Sequence, residues 1–329
     1  MTAPLLELTD LRVSFPGPDG RWAEALLGID LTLEAGGVLG VVGESGSGKS
    51  IAMMAFLQLL PRGTRVSGSA RFRGQELIGM PPSRIRRIRG KAIGCIFQDP
   101  LSAFNPVIPV GRQVAEAILL HDDAMSRRAA LKEAERLFEM VSIPQPARRL
   151  RQYPHEFSGG MRQRAMIAMA LANRPDLVIA DEPTTALDVT VQAQILELLA
   201  ELRRDLGIGL VLITHDLGIV AGFADQVAVM YAGRVVERGA TDPVFYQTAH
   251  PYTAGLIRAV PSLERAGGLS QIDGTPPSIF ARPTGCSFHP RCDRAQGICR
   301  TVDPRLQRCG ATDSACHFPL PPGHCEAAS

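Results

Sequence analysis

The chain has 329 residues, of which 45% are apolar and 21% charged, as is typical of a soluble globular protein with a large core. Its formal net charge of +2 gives no electrostatic reason to expect nucleic acid as a partner, because nucleic-acid-binding domains usually carry a strong basic excess. No apolar run reaches the roughly 20 residues of a membrane-spanning helix, and the N-terminus lacks a basic signal-peptide start. We therefore expect a cytosolic protein.

Strands and helices are predicted to alternate through the first 250 residues. Short β-type runs in residues 5–33 predict an antiparallel layer. After it, we expect strands at 38–42, 92–97, 176–180, 209–213 and 227–231, and helices at 49–60, 110–120, 127–141, 162–172 and 191–204. This order favours an α/β domain with a mainly parallel sheet.

The character of the chain changes near residue 250. A helix is expected at 250–260, and after Pro261 the sequence is rich in Pro, Gly, Cys and His with weak periodicity. Such a segment usually needs a covalent or metal clamp to fold. We predict one domain over residues 1–250, with a helical subdomain at about 99–172, and a small Cys-rich C-terminal extension over 251–329.

A P-loop lies between the predicted strand 38–42 and the helix at 49–60. Its G-x-x-x-x-G-K-S pattern cradles phosphate oxygens with backbone N–H groups, aided by the positive end of the helix. Lysine is expected to reach the β- and γ-phosphates of ATP, and the final serine to ligate Mg²⁺. The predicted ATP-binding residues are Gly43, Glu44, Ser45, Gly46, Ser47, Gly48, Lys49 and Ser50.

Two carboxylates end the predicted strand at 176–180. Asp181 would hold the magnesium shell, and Glu182 would polarise the attacking water as general base. A strand that ends in solvated acids is the ordinary alternative, and the upstream P-loop makes the catalytic interpretation the stronger one.

A second phosphate-binding design opens the helix expected at 162–172. Ser158 is a good N-cap residue, and Gly159 and Gly160, followed by Met161, expose backbone N–H groups. Ser-Gly-Gly shortly before an Asp-Glu strand resembles the signature motif of the ABC-type ATPases. In family order, Gln98 matches the Q-loop, residues 186–188 with Asp188 match the D-loop, and His215 matches the switch histidine.

The resemblance implies a dimeric mechanism. Two ATPase domains would face each other head to tail, with ATP between the P-loop of one and the Ser-Gly-Gly of the other. His215 would contact the γ-phosphate, and Gln98 would sense Mg²⁺ and link to a membrane partner. Phe15 would stack on adenine as the upstream aromatic residue of the family does, although Trp22 and simple core packing compete with this role.

Three strings narrow the family to the bacterial peptide-import ATPase subunits of the dipeptide/oligopeptide D type. They lie at residues 98–106, 153–164 and 250–253. The resemblance implies a peripheral ATPase on the cytoplasmic face of the inner membrane. Its partners would be a related but distinct second ATPase subunit, two transmembrane permease subunits and a periplasmic or extracellular substrate-binding protein. Similar subunits also serve nickel-chelate, glutathione and opine importers, and the cargo is not encoded in them.

Six of the seven cysteines lie between residues 286 and 325. Their spacings are unlike the paired C-x2-C ligands of zinc ribbons, and loosely spaced thiolates suit a [4Fe–4S] cluster. The resemblance to the peptide importers points to Cys286, Cys292, Cys299 and Cys316 as ligands. Cys309 or Cys325 could replace Cys316, and a Zn²⁺ site remains an alternative because His289, His317 and His324 lie nearby in sequence.

Two other functions compete with a transport ATPase. DNA-repair ABC ATPases interrupt the module with long inserts, and nothing long separates Gln98 from Ser158. A purely regulatory, non-catalytic nucleotide-binding subunit is disfavoured because Glu182 and His215 are both present.

Overall fold

The structure is a computed structural model that describes residues 3–17, 20–185, 187–260 and 272–321. The chain forms two compact units. The first, here called the P-loop unit, combines Met1–Gly79 with Leu212–Ser329, and the second, the helical unit, is Met80–Val211. The C-terminal extension therefore belongs to the same unit as the P-loop, while the domain boundary near residue 250 stays a prediction.

Strands form the framework of the P-loop unit, and two parallel strands lie in the helical unit. In chain order they are β1 (Leu6–Pro16), β2 (Trp22–Leu33), β3 (Val38–Val42), β4 (Arg65–Phe72), β5 (Gln75–Glu76), β6 (Ile93–Ile96), β7 (Leu177–Asp181), β8 (Gly209–Thr214), β9 (Gln226–Tyr231), β10 (Arg234–Ala240), β11 (Gln307–Cys309) and β12 (Thr312–Ser314).

Helices connect most of these strands. In chain order they are α1 (Lys49–Phe56), α2 (Pro82–Ile88), α3 (Pro100–Ala103), α4 (Val110–Leu119), α5 (Arg127–Met140), α6 (Pro146–Arg149), α7 (Gly159–Ala170), α8 (Val189–Leu206), α9 (Leu217–Ala221), α10 (Thr241–Tyr246) and α11 (Pro251–Ala259). Short 3₁₀ turns lie at Pro154–Glu156, His289–Arg291 and Gly297–Arg300.

Two sheets build the P-loop unit. The first, in the order β2-β1-β4-β5, contains the antiparallel layer predicted in residues 5–33 and extends it by β4 and β5, which were not predicted. In the second, the strands of this unit follow the order β11-β12-β10-β9-β3, with residues 212–214 of β8 next to β3. β3 and β9 pair in parallel, whereas β9, β10, β12 and β11 pair antiparallel. The extension thus adds its two short strands to the edge of the ATPase sheet.

β3 is the buried strand that delivers the chain to the P-loop. All five of its residues are buried, as expected of a parallel strand covered on both faces. On the other side of the loop, α1 ends at Phe56 and not at residue 60, because Gln58 adopts a left-handed φ of 52° that an α-helix cannot continue. The helix predicted at 49–60 was therefore too long by about one turn.

The helical unit contains β6 and β7 paired in parallel, with Ile93 opposite Leu177. Helices α4, α5 and α7 pack on one another, and they bury apolar residues such as Val114, Phe138 and Met166. The strands and helices expected in this region are confirmed, with ends shifted by up to three residues. α2, α3 and α6 were not predicted.

Candidate active site

Three glycines give the P-loop its curvature. Gly43, Gly46 and Gly48 have positive φ values of 157°, 80° and 102°. A Cβ atom at Gly43 would also clash with the backbone carbonyl oxygen of Met230, so only glycine fits there. Within the described part of the chain, the Ser47 Oγ is buried and has no hydrogen-bond partner. Such an atom is suited to a polar ligand held by the loop.

The start of α1 completes a phosphate cradle. Gly48 is the N-cap residue, and no described side chain caps the first turn, whose N–H groups are therefore available to an anion. Lys49 is only 5% exposed, and its Nζ donates to the carbonyl oxygens of Gly43 (2.6 Å) and Glu44 (3.0 Å). The ammonium group thus lies against the loop, and these residues fit a nucleoside phosphate. Ser50 is half-buried in the first turn, as its predicted Mg²⁺ role requires.

Two residues of the C-terminal region touch the P-loop and were not predicted to do so. The Tyr252 hydroxyl accepts a hydrogen bond from the Glu44 N–H (2.9 Å), and Arg291 forms a bidentate ion pair with the Glu44 carboxylate. Glu44 therefore shapes the loop, since its N–H is directed to Tyr252 and not to a ligand. Tyr252 lies in a string that marked the resemblance and Arg291 directly precedes the predicted ligand Cys292, but residue spacing gave no signal for contacts more than 200 residues away along the chain.

The aromatic candidates lie at one end of the antiparallel layer. Phe15 in β1 is half-buried and pairs with Ala23 of β2. Trp22 is already covered on one face, because the Arg65 guanidinium lies 3.7 Å from its ring centroid. This arrangement favours Phe15 as the residue available to a base. His215, also in the P-loop unit, is exposed and directly follows β8.

In the helical unit, the candidate base forms a small polar network. Glu182 follows β7 with a left-handed φ of 47°, an uncommon conformation that directs its carboxylate away from the strand. Its Oε2 accepts hydrogen bonds from Thr185 Oγ1 (2.8 Å) and Gln98 Nε2 (3.0 Å). Asp181 is half-buried at the end of the same strand. The sequence-predicted Gln98, Asp181 and Glu182 thus lie together, and the Gln98 amide oxygen is the atom that could face Mg²⁺.

The signature and D-loop residues are exposed at helix starts. Ser158 is the N-cap of α7, and its Oγ accepts a hydrogen bond from the Met161 N–H (3.3 Å). Asp188 is the N-cap of α8, with Oδ1 accepting from the Val191 N–H at 2.9 Å. Gly160 packs close to Val191, since a Cβ there would lie 2.9 Å from its Cγ1. Residue 186 of the D-loop lies outside the described residues.

Four cysteines of the extension surround one small cavity. Cys286, Cys292, Cys299 and Cys316 line it together with the aromatic ring of Phe288. Burial, with a smaller contribution from the other three thiols, raises the pKa of the Cys316 thiol to about 11. Thiols that influence one another in this way lie near each other, so the structure brings together the four predicted ligands.

The alternative ligands are placed differently. Cys309 ends β11 opposite Thr312 and is not among the residues that line the cavity. Cys325 and His324 lie outside the described residues. His289 and His317 border the cavity, but each directs one ring nitrogen to a backbone carbonyl oxygen, of Cys286 (3.0 Å) and Val302 (2.9 Å).

No three His, Cys, Asp or Glu side chains of the described ranges are placed so that they could hold one metal ion. No helix of the described ranges is long and apolar enough to cross a bilayer.

Family comparisons agree with this architecture. The family described as "ABC transporter" matches residues 26–185, and the family described as "Oligopeptide/dipeptide transporter, C-terminal region" matches residues 236–299. The second match covers α11 and three of the four cavity cysteines.

Curated relatives match over nearly the whole chain. The oligopeptide transport ATP-binding protein OppD of Salmonella typhimurium is 50% identical over 91% of this chain and 89% of its own length. OppD of Escherichia coli (strain K12) is 48% identical over 96% and 94%, respectively.

A solved structure shares the fold of the nucleotide-binding part. The dimeric post-hydrolysis state of the ATP-binding cassette MJ0796, bound to ADP and Pi, superimposes with a TM-score of 0.65. It is 26% identical in sequence and covers 72% of this chain and 98% of its own.

Proposed function

This chain belongs to the ABC transporter family, as the ATP-binding subunit of an oligopeptide importer, and we propose how its residues divide the work of ATP hydrolysis. In the P-loop unit, the loop N–H groups and Lys49 bind the phosphates, Ser50 ligates Mg²⁺, and Phe15 stacks on the base. Mg²⁺, when bound, neutralises charge on the transferred phosphoryl group.

In the helical unit, Glu182 is the general base that accepts a proton from the attacking water. Gln98 and Thr185 orient its carboxylate through the two hydrogen bonds described above. Asp181 and Gln98 add to the magnesium shell. His215, from the P-loop unit, contacts the γ-phosphate. The observation that supports this proposal most is the hydrogen bond from Gln98 to Glu182, because it orients the carboxylate that directly follows β7.

The nucleotide-binding site is completed by a second subunit. Ser158, Gly159 and Gly160 would contact the ATP held by the P-loop of a related but distinct ATPase subunit, and Asp188 would lie at the same interface. Support comes from the exposure of Ser158 and Asp188, whose side chains otherwise only cap their own helices. The dimeric cassette to which this fold is similar is a precedent for such pairing.

We also propose the assembly that couples this ATPase to transport. The pair would dock on two transmembrane permease subunits at the cytoplasmic face of the inner membrane, and a substrate-binding protein would deliver oligopeptides to the other side. ATP binding favours the closed pair, and the permeases respond to that closure.

The extension over 251–329 would hold a [4Fe–4S] cluster on Cys286, Cys292, Cys299 and Cys316. Support comes from the four cysteines that line one cavity, since loosely spaced thiolates suit such a cluster. Such a cluster, when bound, would cross-link segments of the extension that have little other regular structure.

The assignment of the base is tested with Glu182→Gln in the assembled importer. We expect ATP binding to persist, and turnover to fall by roughly 10²–10⁴-fold because the amide cannot accept the proton. Glu201→Gln, an exposed change on α8, is the matched control and should hydrolyse ATP normally. Normal turnover by Glu182→Gln would refute the assignment.

A further inference from the structure

Every polar group of Glu44, the second residue of the P-loop, is held by a partner. Its carbonyl oxygen accepts from Lys49 Nζ at 3.0 Å, its N–H donates to the Tyr252 hydroxyl at 2.9 Å, and its carboxylate pairs with Arg291. The Ser47 N–H also donates to this carbonyl oxygen (3.2 Å), so two of the four partners come from the C-terminal region, beyond residue 250. The position of this P-loop residue is therefore fixed in part from outside the nucleotide-binding motif.

Arg291 is well placed to act as a rigid anchor. Its side chain is 5% exposed, and its two terminal nitrogens lie 2.6 and 2.9 Å from the two carboxylate oxygens of Glu44. Further hydrogen bonds run to the carbonyl oxygens of Asp273 (2.9 Å) and Ile272 (3.1 Å). A bidentate, charge-assisted pair fixes both distance and orientation, and burial shields it from solvent and salt.

An aromatic cluster supports the anchor. The rings of Tyr231, Tyr252 and Phe288 pack with centroids 4.6 to 5.3 Å apart, and the Arg291 guanidinium lies 5.8 Å from the ring centroid of Tyr231. Tyr252 and Tyr231 are almost completely buried. Phe288 comes from the extension between Cys286 and Cys292, so the extension and the sheet below the P-loop share one core.

The curvature of the loop decides where its N–H groups point. A displacement of Glu44 would move its carbonyl oxygen, and with it the Lys49 ammonium that this oxygen helps to hold. Lys49 Nζ is also bound to Gly43, directly before Glu44, so both of its carbonyl partners move with this part of the loop. A displacement of Glu44 should therefore also displace the Lys49 ammonium group, which is expected to bind the phosphates.

We propose that the C-terminal extension sets the ATP affinity of the P-loop through Arg291 and Tyr252, which act as positioning residues by holding Glu44. The inference rests on the proposed function, in which the P-loop is the ATP site. It gives the extension a role in nucleotide binding that depends on this chain's own contacts.

The test measures binding of the non-hydrolysable analogue adenylyl imidodiphosphate with Mg²⁺ to the full chain by calorimetry. Arg291→Met keeps an unbranched apolar stem and removes the charged guanidinium, and we expect Kd to rise about tenfold. Arg238→Met is the matched control. It removes the ion pair of β10 with Asp313 in β12 (3.1 Å), which also ties the extension to the sheet but leaves the P-loop untouched, so Kd should not change.

A double-mutant cycle separates positioning from general loosening. If Arg291 acts through Glu44, then Arg291→Met should add nothing to Kd in a Glu44→Gln background. If Arg291→Met raises Kd equally in both backgrounds, or if Arg238→Met raises it as much, the proposed route is wrong.

If Arg291→Met does not fold, two more conservative variants, Tyr252→Phe and Arg291→Lys, test the same inference. Tyr252→Phe removes one buried oxygen and should raise Kd about fivefold, and Arg291→Lys should give an intermediate value because it keeps the charge and loses the bidentate geometry. Wild-type affinity in both would overturn the inference while the wild-type protein still binds the analogue. A wild-type protein that does not bind the analogue would refute the proposed function, and the inference with it.

Discussion

The two units hold their nucleotide-handling residues in opposite ways. In the P-loop unit, Lys49 and Ser47 are 5% and 3% exposed, and the loop is held by Tyr252 and Arg291 from the C-terminal region. In the helical unit, Ser158 and Asp188 are exposed, and among the described residues their side chains bond to the first turns of their own helices. This contrast fits an ATPase in which the P-loop site is assembled within one subunit, whereas the surface around Ser158 and Asp188 becomes part of a site only when a second subunit binds.

The largest effect is expected from a substitution in the P-loop, the site that is already assembled within one subunit. Lys49→Met should lower ATP affinity by roughly a hundred- to a thousandfold, because it removes the charge that faces the phosphates in a buried site. It also removes one donor from each of the carbonyl oxygens of Gly43 and Glu44, so thermal unfolding should begin at a lower temperature. Calorimetry with ATP and a melting curve check both effects, and unchanged ATP affinity would contradict the account.

A slightly smaller effect is expected on the exposed side. Ser158→Asp retains a good N-cap, so the subunit should fold and bind ATP normally. The added negative charge would repel the γ-phosphate of the nucleotide held by the second subunit, at a cost of several kcal/mol, and ATP turnover of the assembled importer should fall about a hundredfold.

The matched control for this variant is Ser126→Asp. Ser126 is the N-cap of α5, and its Oγ accepts from the Ala129 N–H in the same way. Its turnover should equal that of the wild type. Equal turnover by Ser158→Asp would show that the exposed side meets no nucleotide.

A change at the cysteines of the extension should affect ATP hydrolysis least, and its effect is measured as iron content. Cys316→Ser should abolish the iron content and the brown colour of anaerobically purified protein, because one of four thiolate ligands is lost. Cys309→Ser should retain both, since Cys309 does not line the cavity. Iron retained by Cys316→Ser, zinc found in place of iron, or iron lost equally from both variants would contradict the proposed ligand set.

The sequence predicted the residues that face a ligand better than those that position them. The strand–loop–helix around Lys49 and the N-cap at Ser158 follow from local patterns, since each depends on neighbouring residues. The candidate role of Gln98 came from the family resemblance, and its hydrogen bond to Glu182 was not predicted. The grouping of four cysteines was expected from the family resemblance.

The contacts that cross long stretches of the chain were not predictable in the same way. Arg291 and Glu44 are 247 residues apart, and no periodicity links them. β11 and β12 were missed because each has three residues, too short for an alternating pattern to be recognised. Their place at the sheet edge is a consequence of tertiary packing, which is also what brings the extension to the P-loop.

The most direct test of the two-subunit site is a structure of the importer trapped with ATP and Mg²⁺ by Glu182→Gln. The account predicts that Lys49 of this subunit contacts the phosphates of one ATP, while Ser158 contacts the γ-phosphate of the other ATP, bound by the second subunit's P-loop. Two nucleotides each enclosed by a single polypeptide, with Ser158 still facing solvent, would contradict it.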